Sequence, residues 1–102
     1  MLIVGADVLA KAIRKHRDAS ASLRAWTKVV KEADWESIVD VRRTYPSADG
    51  VSLRSGGVAT VFNIRGNNYR LLVRISYRAR VVSVVEFLTH AEYSKDSWKE
   101  RL

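Results

Sequence analysis

The sequence predicts an α+β domain with an antiparallel three-stranded meander backed by two N-terminal helices, and three observations carry that prediction. Three runs rich in Val, Ile, Leu, Phe and Tyr, at Val58–Ile64, Tyr69–Tyr77 and Val81–Leu88, are separated only by short polar links. Gly66-Asn67 in the first link supplies two residues that tolerate positive φ, as a tight hairpin needs. Upstream, two stretches place apolar side chains at helical spacing, and such helices must cover an apolar sheet face.

In chain order the expected elements are β-α-α-β-β-β-α. Leu2–Val4 reads as a short strand broken by Gly5. Asp7 is suited to cap a helix running to about His16, with Leu9, Ala12, Ile13 and His16 on one stripe. Asp18 is suited to cap a second helix to about Ala33, with Leu23, Trp26, Val30 and Ala33 inward. His16 reads as a helix-end residue, and Trp26 and Trp35 as core anchors. A shorter helical turn from Asp34 to Arg43 stops before Pro46. Pro46 to Gly57 reads as a loop, with Gly56-Gly57 turning into the first meander strand. Ser94–Leu102 suits a brief C-terminal helix.

Strand parity gives the meander two faces. Tyr69, Leu71, Val73, Ile75 and Tyr77 share one, and the helices are expected there. Arg70 and Arg74 share the other with Asn63 and Arg65 of the preceding strand and hairpin link. That arginine-bearing face is expected to stay open, either solvated and paired with Glu86 or turned to an anion.

At 102 residues, 47% of them apolar, the chain is read as one domain, residues 1–102, with a packed core. It has no cysteine, which excludes disulfides and thiolate metal sites. The opening MLIVGADVLA lacks a charged leader region, and no stretch approaches a membrane span, so a cytoplasmic protein is expected. Eighteen Lys and Arg against eleven Asp and Glu give a net charge of +7, which favours a polyanionic partner.

Several chemistries are excluded by pattern. Two distant histidines without an HExxH cluster offer no metal site, and there is no P-loop, GxGxxG or GxSxG. No cofactor is expected. What remains is metal-independent phosphodiester cleavage in RNA, where the substrate supplies its own 2′-hydroxyl nucleophile. The protein must then move two protons and stabilise charge on phosphorus. His90, Glu92, Tyr93 and Lys95 offer acid–base groups; Arg70, Arg65 and Arg74 offer fixed cations whose planar forks match phosphate oxygens.

The run Val61-Phe62-Asn63-Ile64-x-Gly66-Asn67-x-Tyr69-Arg70-Leu71, followed by Thr89-His90-Ala91-Glu92-Tyr93, resembles the HigB toxin family of type II toxin–antitoxin systems. The likeness extends to Ala33-x-Trp35, Asp40, Tyr45-Pro46-Ser47-Ala48-Asp49, Lys95 and Trp98. It implies a RelE-like fold and an endoribonuclease that cuts mRNA on the ribosome, silenced by a HigA-like helix-turn-helix antitoxin. By motif, Arg70 would hold the scissile phosphate, His90 and Tyr93 would transfer protons, and Glu92, Asn63, Asn67 and Lys95 would support them. Asn68 stands where many relatives carry lysine, and Ser94 where many carry aspartate. Two other readings use the same surface: a non-catalytic RNA- or ribosome-binding module, and a RelE-fold toxin acting on another target.

Overall fold

The computed structural model describes residues 1–102. Its elements are β1 (Leu2–Val4), α1 (Ala6–Lys15), a 3-10 turn (Arg17–Ala19), α2 (Ser20–Glu32), α3 (Ile38–Thr44), β2 (Asp49–Ser52), β3 (Val58–Ile64), β4 (Tyr69–Ser76), β5 (Val81–Thr89), α4 (His90–Ser94) and α5 (Trp98–Arg101). One sheet has the order β1-β5-β4-β3-β2; β1 is parallel to β5 and the other pairs are antiparallel. The class is α+β with the meander as expected. A fourth antiparallel strand, β2, extends it where the sequence suggested only loop. Asp-Gly-Val-Ser has almost no apolar signature, and it becomes a strand because β3 offers it a free edge, from Asp49↔Val61 to Ser52↔Val58.

The helices start differently from expectation. Gly5, at φ 95°, precedes α1, and no side chain caps it. A Cβ on Gly5 would lie 2.7 Å from the Val84 carbonyl, so the close crossing of β5 requires glycine. Asp18 does not cap α2: the 3-10 turn intervenes, and its carboxylate reaches across to Tyr69. Ser37 does cap α3, accepting the Val39 N–H at 3.2 Å. The C-terminal helix is two short ones, separated where Asp96 takes φ 61°.

The face backed by α1, α2 and α3 holds the larger core. Phe62 is at its centre, with Trp26, Trp35 and Tyr45 rings 5.3–6.1 Å away. Leu23, Val30, Val41, Leu71, Val73 and Val82 fill in around them. Each such side chain contributes about 1.5–3 kcal/mol by leaving water.

The opposite face is not open, and this corrects the sequence expectation. Val61, Leu72 and Leu88 also point there, and Trp98, Leu53 and Ala59 bury them. Arg54–Glu100 and Arg101–Glu86 ion pairs and the Ser55 hydroxyl, which donates to the Leu102 carbonyl, fasten α5 and the 53–57 loop. Glu86 therefore pairs with Arg101 rather than with an arginine of β4. A bulge shifts the β4–β5 register from Leu72↔Glu86 to Val73↔Val84, so the two ends of β5 differ by one residue in phase. Polar groups remain on this face at the end beside the β3–β4 turn and, beyond the buried Leu72, at the exposed Arg74. No helix is long and apolar enough to cross a membrane.

Candidate functional site

Arg70 lies in β4 between Asn63 of β3 and Leu88 of β5. It is 8% exposed. Its Nη1 donates to the carbonyls of Asn67 (3.2 Å) and Tyr69 (3.1 Å), and its Nη2 donates to Asn67 Oδ1. Nη2 also lies 3.3 Å from His90 Nδ1. A guanidinium has no acceptor, so the imidazole nitrogen facing it is the accepting one and the neutral ring carries its proton on Nε2. No carboxylate pairs with Arg70. Arg42, Arg43, Arg54, Arg65, Arg80 and Arg101 all have acidic partners at the surface. Taking a cation out of water costs several kcal/mol, which its neutral hydrogen-bond partners and the Tyr93 ring offset here without an ion pair.

His90 and Tyr93 are brought beside Arg70 by α4. Thr89 and Glu92 form a reciprocal capping box: the Thr89 hydroxyl accepts the Glu92 N–H (3.1 Å) and Glu92 Oε1 accepts the Thr89 N–H (2.9 Å). The His90 N–H donates to the Asn68 carbonyl at 2.9 Å, tying the helix start to the β3–β4 turn. Residues three apart share a helix face, so His90 and Tyr93 turn the same way. The Tyr93 ring centre is 5.5 Å from the Arg70 guanidinium carbon and stacks on Trp98 at 5.1 Å and 16°. The Trp98 indole N–H donates to the Tyr93 carbonyl (2.9 Å), fixing that platform. Burial first, and then the Asp49 carboxylate, push the Tyr93 hydroxyl above its ordinary pKa; Lys99 and Arg70 pull the other way. Tyr93 is therefore a protonated phenol at neutral pH.

The remaining sequence candidates separate. Asn63 is half-buried opposite Arg70, and Asn67 sits at the turn as its main anchor. Glu92 is committed to the cap, and the Thr89 N–H, the largest influence on it, holds its carboxyl below the usual range. Lys95 is exposed just after α4. Arg74 is four residues along β4, about 13 Å from Arg70, and is bound by the Ser55 hydroxyl and Gly56 carbonyl. Arg65 is not brought to the cluster. With φ 51° it leaves the strand alternation and pairs with Asp18 at 3.3 Å. Strand parity placed it beside Arg70, and the left-handed backbone undoes that parity.

Trp98 as a platform, the Asn68 carbonyl and the capping box were not singled out from sequence as parts of the site. Of these only the box had a legible signal, the Thr-x-x-Glu spacing of residues 89–92. A concavity of about 440 Å³ runs between α1 and β5 past Lys15, His16 and Phe87, without Arg70, His90 or Tyr93. No three His, Cys, Asp or Glu side chains are grouped to hold a metal ion.

Fold and cluster together describe a small basic α+β protein with Arg70, His90 and Tyr93 gathered at one end of the sheet's thinner face. Residues 19–96 match the HigB toxin family, described as the RelE-like toxic component of a toxin–antitoxin system, and the chain belongs to that family. It is also similar to a protein of Escherichia coli O6:H1 (strain CFT073) named mRNA interferase HigB, 26% identical over 95 residues covering 93% of this chain and 90% of that protein.

Proposed function

We propose that this toxin is a metal-independent endoribonuclease that cleaves mRNA on the translating ribosome. The observation that carries the reading is Arg70, a buried guanidinium without a carboxylate partner, in contact with an imidazole and a phenol. The similarity to a protein named mRNA interferase supports it.

Arg70 receives the non-bridging oxygens of the scissile phosphate and stabilises the charge that grows there. His90 Nδ1 already presents a lone pair; when the phosphate takes over Nη2, that nitrogen is free to accept the 2′-hydroxyl proton. The 2′-oxygen bonds to phosphorus, the bond to the 5′-oxygen breaks, and the protonated Tyr93 hydroxyl donates to the leaving oxygen. The products are a 2′,3′-cyclic phosphate and a 5′-hydroxyl. Asn63, Asn67 and Lys95 flank the phosphate path, Arg74 stands apart beyond the buried Leu72 and Trp98, and Glu92 acts through the cap that orients His90. A net charge of +7 favours a polyanion, as RNA displayed by a ribosome is. A HigA-like helix-turn-helix antitoxin is the proposed neutralising partner, and the cytoplasm the place of action.

Incubation with ribosomes and a defined message tests this. Cuts ending in 2′,3′-cyclic phosphate and 5′-hydroxyl are expected from the wild type and should vanish in Arg70→Ala. Salt-sensitive RNA binding without any product would instead identify a binding module. Growth arrest without RNA loss would point to another target.

A further inference from the structure

We infer that Asp18 is a positioning residue of this site: it grips the β3–β4 turn from both flanks and, through that turn, sets Arg70 and His90. Asp18 Oδ1 accepts the Tyr69 hydroxyl at 2.6 Å, and Oδ2 meets Arg65 Nη1 at 3.3 Å. Arg65 and Tyr69 immediately bracket the three turn residues Gly66, Asn67 and Asn68. Two of those residues build the site: Asn67 supplies two acceptors to Arg70, and Asn68 takes the His90 N–H. One carboxylate thus holds both ends of the segment that fixes the guanidinium and the start of α4.

The grip is needed because the turn is strained. Arg65 takes φ 51° without glycine's freedom, followed by Gly66 at 63°. The last ladder pair of the hairpin is Ile64↔Tyr69, and beyond it the Arg65 backbone is tied by a long turn bond, the Asn68 N–H donating to its carbonyl at 3.3 Å. Asp18 can do so because its own turn is anchored by Ala19, which is fully buried. Tyr69 is braced as well, with the His16 and Phe87 rings each 5.0 Å from it. The Tyr69 hydrogen bond, the largest influence, with Arg65 adding to it, holds the Asp18 carboxyl below the usual range against the desolvation that raises it, so it is an anion wherever the enzyme would work. The connection then runs through short steps, from Asp18 to Tyr69 and Arg65, to Asn67 and Asn68, to Arg70 and His90.

The activity arm of the test rests on the nuclease reading; the spectroscopic arm does not. Asp18→Asn and Tyr69→Phe are made in the full chain, with circular dichroism verifying the fold. Amide exchange of His90 should quicken and the Arg70 side-chain nitrogen resonances should move in both. In the ribosome assay kcat should fall about tenfold with KM little changed, the pattern of a misplaced catalytic group. The double variant should lose no more than Asp18→Asn alone, since both act through one link. Unchanged His90 exchange and Arg70 resonances in Asp18→Asn overturn the proposal, as does a lowered Tm with wild-type kcat per folded molecule. A wild type that cuts no message overturns the nuclease reading, and the exchange and resonance measurements then decide the Asp18 proposal by themselves.

Discussion

The two faces of the sheet are built to different ends. One is backed by three helices and packs aromatic rings around Phe62, with every large side chain contributing to burial. The other is covered by a four-residue helix and a loop, over a cluster of six buried residues. At the end of that thinner face the chain keeps a cation with no acidic partner, where an apolar residue would pack more cheaply. The helix side supplies the larger packed core, and the thinner side carries the polar cluster around Arg70.

The largest effect expected is on the helix side. Phe62→Ala removes the ring that Trp26, Trp35 and Tyr45 pack against and should cost about 3–5 kcal/mol, read as a fall in the urea midpoint. Wild-type stability in that variant would break the comparison at once. On the other face, His90→Ala should reduce kcat about a hundredfold or more, with the urea midpoint barely moved because the side chain is exposed. Trp98→Phe sharpens the contrast: it keeps a ring beneath Tyr93 but loses the N–H donated to the Tyr93 carbonyl. About 1 kcal/mol of stability should go, with a drop in kcat that Phe62 substitutions milder than alanine do not cause. Thr89→Ala opens the capping box and should cost about 1 kcal/mol.

The smallest effect is a pH dependence. The folded state holds the Glu92 carboxyl below its usual range, so the cap contributes fully above the unfolded carboxylate pKa and is lost as the pH falls through the lower folded value. Acid unfolding curves should therefore be shallower for Glu92→Gln than for the wild type in that window. Identical curves would show that the cap carries no proton-linked stability.

The sequence made the meander legible almost to the residue. β3 is Val58–Ile64 as expected, and β4 and β5 shift by one residue at their C-terminal ends, because β-branched runs between turn signals are decided locally. The convergence of Arg70, His90 and Tyr93 was foreshadowed by residue types and by family resemblance, and in the fold Arg70 lies beside both of the others. What stayed hidden depended on long-range partners. β2 is a strand through β3's free edge, Trp98 closes a face that parity alone leaves open, and Arg65 departs from its expected side through one left-handed φ. Asp18 read as a helix cap because its type suits one; its real partners lie on β4 and in the hairpin turn, far along the chain.

The central claim is that the Arg70 guanidinium is retained for an incoming phosphate at the expense of the fold. Arg70→Met, close in volume and uncharged, tests it when Tm and ribosome-dependent cleavage are measured on the same preparation. Cleavage should fall about a hundred- to a thousandfold while Tm holds or rises. Cutting at the wild-type rate, or a Tm that collapses together with activity, would contradict the account.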